Sequence, residues 1–274
     1  MFRINHNVAS LMAQRNLAAT GRDTFKAVER LSTGLRIVRA ADDAAGLFVS
    51  EQMRAQIAGL QQADRNAQNA ISMLQTAEGG MEQISGMLIR IQALAIEAAD
   101  STFPDSARVA IQREVHVILL EFDRIADSTS FNGISLMQGA AFTFQVGETG
   151  QSFSRFGVTI GPVTTGVMLP GVSSADFGNQ ASAINVVASV VFGIASVAEV
   201  RTQVGAAQNR LERTVVSIRT QMENVQNAES VIRDADFAAE TAALTRALIL
   251  VQAGTSVLSQ VNLLPQNALP LMQF

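Results

Sequence analysis

Apolar residues recur every three to four positions over unusually long stretches of this chain. Between Ala44 and Ala99 there is no proline, and Ile57, Leu60, Ala67, Ile71, Leu74 and Met81 fall on one seam, with Asp64 and Glu78 filling its remaining steps. A continuous helix over that span would be about 80 Å long at 1.5 Å per residue. A second seam alternates steps of four and three through Val204, Gln208, Leu211, Val215, Ile218, Met222 and Val225, and Ile184, Val187, Val191, Ile194 and Ala198 repeat it upstream. Such positions are the a and d sites of heptads, so both stripes are read as packing surfaces between helices.

Between the seams, "DSTFPDSARV" predicts the start of a shorter helix over 104–127: Ser101 or Thr102 can cap, Pro104 suits the first turn and Asp105 favours the helix dipole. Residues 128–175 change character, with glycine, threonine, phenylalanine and short alternating runs such as "FTFQVG" and "FGVTI", which predict one or two β-hairpins. The predicted fold is mainly α: a long antiparallel, coiled-coil-like helical bundle with helices at 44–99, 104–127 and 176–233 and a small β-hairpin region.

The two ends form a separate pattern. Val8, Leu11, Ala18, Phe25, Val28, Leu31 and Leu35 mark a stripe in residues 1–35, and Leu244, Leu248, Val251, Leu258 and Val261 mark another in 244–274. Each stripe is too narrow to make a core alone, so both termini read as amphipathic helices that need each other or another subunit. Short linkers at 36–43 and 234–243 would join them to a rod at 44–233.

Composition narrows the function classes. The net charge of -4 arises from 20 basic and 24 acidic residues with no run of one sign, which disfavours nucleic acid and anionic membranes as partners. A membrane-surface helix would cluster basic residues on its polar face, and the C-terminal stripe has only Arg246. Every basic residue but Lys26 is arginine, a residue favoured at interfaces, although GC-rich codons would give the same bias. With 0 cysteines, neither a disulfide scaffold nor a thiolate site can form. No signal-peptide-length apolar segment opens the chain, so the expectation is a cytoplasmic protein or one exported without a cleaved signal.

Candidate chemistry is sparse. Asp42 and Asp43 in "VRAADDAAGL" could bind a cation or share a proton, but no further ligands lie nearby, and both stand where a long helix should begin, next to free backbone N–H groups. Asp234 and Asp236 form a D-x-D between two helical stretches and are likewise read as caps. His6 and His116 lack supporting ligands, and no nucleotide, zinc-protease or serine-hydrolase motif is present. The chain is therefore expected to have no catalytic site, no cofactor and no metal.

The segments "RINHNVASLMAQRNL", "RLSTGLRIVRAADDAAGL", "LQTAEGGMEQISGML", "FNGISLMQG", "VGAAQNRLERTV", "ESVIRDADFAAETAALTR" and "VQAGTSVLSQVNLLPQNALPLM" together resemble bacterial flagellins, over roughly residues 1–150 and 176–274. The resemblance implies a self-polymerising subunit of the extracellular flagellar filament, exported unfolded through the type III export apparatus, held by an export chaperone and meeting flagellar cap and junction proteins. It implies that the terminal helices pair as a coiled coil in an inner tube, packed through Leu11, Phe25, Val28, Leu31, Leu244, Leu248, Val251, Leu258 and Val261, inside a shell made of the rod. Large outer domains are lacking, so a thin, smooth filament is expected.

The same resemblance places Arg36, Arg39, Asp42 and Asp43 close to Arg233, Asp234 and Asp236 at the junction of the layers, where Arg36 or Arg39 should meet acidic groups. Val38, Arg39, Leu248 and Val261 depart from the family's usual residues, and the last two would alter inner-tube packing. Arg90, Leu94 and Glu114 align with residues read by an innate immune receptor, but Ile89, Gln92 and Ala93 break the polar pattern, so weak or no recognition is expected. A hook–filament junction protein shares the terminal regions, and a coiled-coil adaptor or adhesin would explain the seams alone.

Overall fold

The computed structural model describes residues 7–172, 177 and 179–263. His6 and the "PQNALPLM" tail lie outside them. The elements in chain order are α1 (Val8–Thr33), α2 (Ala44–Ala99), α3 (Asp105–Ser128), β1 (Ser130–Phe131), β2 (Ile134–Ser135), β3 (Gln138–Gln145), β4 (Arg155–Pro162), α4 (Thr165–Met168), α5 (Gln180–Arg233) and α6 (Phe237–Leu263). The fold is mainly α with two small antiparallel sheets. Contacts divide the chain into one unit of Met1–Ala55 with Asn224–Phe274 and a second unit of Gln56–Glu223, and both divisions fall inside α2 and α5.

In the second unit, α2 and α5 run antiparallel: Gln180 donates to the Ala99 carbonyl, Gln208 to Glu78, and Arg219 to Asp64. The buried seam of α2 is Leu60, Ala63, Ala67, Ala70, Leu74, Ala77, Met81, Ile84, Leu88, Ile91, Ala95 and Ala98. Leu60, Ala67, Leu74 and Met81 are the predicted ones, but the alternate rungs are Ala63, Ala70 and Ala77, and Ile57 and Ile71 are only half-buried. On α5 the upstream seam is displaced by one residue to Ala183, Val186, Val190, Gly193 and Val197, leaving Ile184 and Val191 exposed. At Ala63, Ala70 and Ala77 of α2 and at Ala183 and Gly193 of α5 a small residue holds the inner position, where it lets neighbouring backbone approach closely. At Gly193 a methyl group would stand 2.7 Å from the Met168 carbonyl oxygen. The core also takes Phe122, Leu136, Met137, Phe156 and Ile160, and each such large side chain contributes about 1.5–3 kcal/mol of burial.

Neither Ser101 nor Thr102 caps α3. Pro104 occupies the N-cap position without a side-chain bond, and Asp100 accepts the Thr102 N–H instead, stabilising the turn. Arg108, buried on the first turns of α3, donates to the carbonyls of Asp100 and Phe103 and so satisfies backbone acceptors after the end of α2. β1 and β2 join through Asn132 and Gly133, both at positive φ (51° and 78°), as a two-residue primed turn requires. β3 and β4 pair from Gln138↔Pro162 to Gln145↔Arg155. The short α4 that follows lies inside the region read as β; its first N–H and the Thr165 hydroxyl both donate to Asp123.

In the first unit, Asn7 caps α1 by accepting the Ser10 N–H, and Gly34 closes it in the left-handed conformation at φ 71°. The linker expected at 234–243 is much shorter. Asp236 accepts from the N–H groups of Ala238 and Ala239, so α6 starts at Phe237 rather than 244.

Candidate assembly interface

Helices α1 and α6 pack side by side. Asn7 donates to the Val261 carbonyl at 3.0 Å, Ser10 to Asn262 at 2.8 Å, and Arg30 pairs with Glu240 at 3.0 Å. The face that α1 turns inward runs Ser10, Ala13, Leu17, Thr20, Thr24, Ala27 and Leu31, and that of α6 runs Glu240, Leu244, Ala247, Val251, Gly254, Leu258 and Val261. Steps of three and four alternate along both, the coiled-coil signature. Small residues alternate with leucine and valine along the seam, and a methyl group added at Gly254 would meet Leu17 at 3.2 Å.

The nine residues expected to pack the inner tube divide between this seam and the outward faces of the pair. Leu31, Leu244, Val251, Leu258 and Val261 face the seam. Leu11, Phe25, Val28 and Leu248 point away from it, with Phe25 79% and Leu11 63% exposed. Hydrophobicity alone does not separate the two sets, since leucine and valine lie on both faces; what marks the seam is their alternation with Ser10, Ala13, Ala27, Ala247 and Gly254. The outward faces thus carry Val8, Leu11, Met12, Phe25 and Val28 on α1 and Phe237, Leu248, Ile249, Leu250 and Val257 on α6. An 18-residue window of α6 has mean hydropathy 1.3, and only 6% of it is buried. Apolar surface of that extent on a helix marks a surface meant to be covered.

The linker residues are tied down where the chain returns beside them. The Arg36 N–H donates to the Arg233 carbonyl, its guanidinium donates to the Ile232 carbonyl at 2.6 Å, and Leu35 forms a bridge with Asp234. Of the two arginines expected to meet an acidic group here, Arg39 pairs with Glu29 at 2.6 Å, whereas Arg36 meets the Ile232 carbonyl. Asp43 accepts from the Gly46 N–H and caps α2, whereas Asp42 accepts from the Arg39 N–H and closes the preceding turn. A second acid that meets arginines here is Glu51, bonded to Arg233 at 2.7 Å and to Arg54 at 3.0 Å, which together hold its carboxyl below the ordinary glutamate value. Glu51 lies inside α2 with no motif around it, so the sequence carried no signal for its role.

Residues 4–141 match the bacterial flagellin N-terminal helical region, and residues 189–272 the bacterial flagellin C-terminal helical region. The chain belongs to the bacterial flagellin family. It is similar to the flagellin of Halalkalibacterium halodurans, 38% identical over 270 residues that cover 98% of this chain and 99% of that one. It is also similar to the flagellar filament 31.3 kDa core protein of Treponema maltophilum, 39% identical over 290 residues with 98% and 99% covered. A solved flagellar hook-associated protein of Vibrio parahaemolyticus shares the fold at a TM-score of 0.59 and 12% identity, covering 70% of this chain and 99% of that one.

One group singled out through the flagellin resemblance is not a surface set. Arg90 and Glu114 form an exposed ion pair between α2 and α3 at 2.6 Å, but Leu94 is buried in the core of the bundle and cannot touch a receptor.

Proposed function

We propose that this flagellin is a structural subunit of the extracellular bacterial flagellar filament and serves swimming motility through contacts with its own copies. The observation that carries the reading is the terminal helix pair, which turns one seam of mixed small and apolar residues inward and still leaves Leu11, Phe25, Leu248 and Ile249 exposed on its outward faces. A monomer gains nothing from that arrangement, while a polymer buries both outward faces, each large side chain adding about 1.5–3 kcal/mol. The names of relatives at 38% and 39% identity, a flagellin and a filament core protein, favour the filament itself over a hook–filament junction, to which the 12% identity of the hook-associated protein speaks only at the level of fold.

In this reading residues 1–35 and 244–274 form the inner tube and 44–233 the shell. The linker contacts of Arg36, Arg39, Asp42, Asp43, Arg233, Asp234 and Asp236 hold the turn between them. The subunit performs no catalytic step, travels through the type III export apparatus with a chaperone on its C-terminal segment, and meets cap and junction proteins at the filament ends. With Leu94 buried, the exposed Arg90–Glu114 pair supports at most weak immune recognition.

The test is assembly of purified chain, alone and on filament seeds, followed by electron microscopy. Long tubular filaments are expected, and deletion of residues 1–35 or 244–274 should abolish them. Normal polymerisation of either truncated chain would overturn the roles given to the terminal helices.

A further inference from the structure

The second unit holds a groove that its own packing leaves unfilled. It is a pocket of about 330 Å³ between the loop joining β3 to β4 and the stripe Arg210, Thr214, Ser217 and Gln221 of α5, floored by Leu60, Phe156 and Ile218. Phe153, 81% exposed, stands on its rim. Arg155 and Arg210 both line it, and neither has a carboxylate partner among the described residues; Arg210 instead lies over the Phe156 ring at 4.9 Å. The lining sets these two arginines against one carboxylate, Glu148, which accepts from Gln56. The groove is therefore cationic, concave and edged by an aromatic ring, a combination that recognises an acidic chain segment.

The other end of the same unit supplies such a segment. The groove lies level with Gln56 and Asn66, which bond to Glu148 and the Gln145 carbonyl. The turn after α2 is about 60 Å away along the helix at 1.5 Å per residue. From Ile91 to Ala107 the chain carries Glu97, Asp100 and Asp105 and no basic residue. Asp105 is 84% exposed and only loosely paired with Arg108 at 3.9 Å, whose guanidinium is turned inward to the carbonyls of Asp100 and Phe103. The facing N-terminal part of α5 has no basic residue before Arg201.

We propose that the groove receives the acidic turn of a second copy, with Arg155 and Arg210 of one subunit opposite Glu97 and Asp105 of the next. Two different patches on one subunit that fit each other make a heterologous contact, and such a contact propagates an open polymer rather than closing a dimer. The inference rests on the filament reading and specifies one of its contacts. Because each pair sits at a surface, it sets register and association rate more than total stability.

The experiment measures the critical concentration for growth on seeds. Arg155→Glu with Arg210→Glu should raise it by about tenfold or more, as like charges meet at every joint. Adding Glu97→Arg and Asp105→Arg to the same chain should return it to within about threefold of the parent, which a misfolded groove variant could not do. As a direct probe, Ser217→Cys and Ser101→Cys in the cysteine-free parent should be joined by a bifunctional maleimide into a ladder of cross-linked subunits in filaments, and remain uncoupled between monomers. Parent-like growth of the groove variant, or filaments that give no ladder, would overturn the groove contact while leaving the filament reading intact. Absence of filaments from the parent itself would overturn that reading.

Discussion

Arg233 donates to Glu51 at 2.7 Å while its own carbonyl accepts the Arg36 N–H at 2.7 Å, so one residue ties α2, the linker and the end of α5 together. Its Nε is buried without a partner, which leaves the Glu51 bond as the main anchor of the guanidinium. Glu51 titrates below the ordinary glutamate range because of Arg233 first and Arg54 second. A carboxyl depressed on folding contributes stability above its unfolded pKa and loses that contribution as pH falls through its folded pKa. The tie is thus intact at neutral pH and released only in the acid range below the ordinary glutamate value. Carbon NMR of the Glu51 carboxyl should show its midpoint rising when Arg233→Gln is introduced; an unchanged midpoint would mean that the pair does not form in solution.

Arg108 should be worth more to stability than any exposed arginine. Arg108→Met keeps much of the packing volume but strips the carbonyls of Asp100 and Phe103 of their donor. The expected loss is about 2–4 kcal/mol in denaturant unfolding. Arg124→Met, which breaks an exposed pair with Glu121, should cost under about 1 kcal/mol. Equal losses from the two would refute the backbone-capping role of Arg108.

Two glycines of α5 should respond in opposite directions. Gly193→Ala forces a methyl group to 2.7 Å from the Met168 oxygen, and the core must move to admit it, at about 1–3 kcal/mol. Gly205→Ala meets nothing within 4 Å and should stabilise the helix by about 0.5–1 kcal/mol. Thermal unfolding of the two variants decides whether α4 packs on α5 as described.

The outward and inward faces of the terminal pair can be separated by substitution. Leu11→Asp with Phe25→Asp changes exposed positions and should leave monomer unfolding nearly unchanged, yet stop filament growth on seeds. Ala247→Leu enlarges a buried seam residue and should loosen α1 from α6, read as faster amide exchange in both helices. Filament growth of the double aspartate variant at the parent rate would remove the central argument for assembly.

Much of this was open to inspection in the residues alone. Long proline-free stretches with three–four periodicity determine a mainly helical bundle, and the glycine-, threonine- and phenylalanine-rich middle determines a β region, because both depend on spacing and local conformational preference. Capping is equally local: Asp43 and Asp236 accept from backbone N–H groups two or three residues downstream in their own chain. The paired terminal motifs carried the family, since they quote whole stretches rather than single residues.

Which of two neighbouring stripes faces inward is settled only when the helices pack. A helix with both an alanine stripe and an isoleucine or leucine stripe satisfies the same periodicity, and sequence favours the more hydrophobic one. Close packing reverses that preference at Ala63 and Ala70 in α2, at Ala183 in α5 and at Ser10 and Ala27 in α1, because two backbones draw together only over small side chains. Leu11, Phe25 and Leu248 are then left on the outside, where the monomer has nothing to bury them. Likewise Glu51 and Arg108 acquire partners at a distance from any motif, Arg233 for one and the turn carbonyls for the other. Those pairings exist only once helices far apart in sequence, or a turn and the helix after it, have been folded against each other.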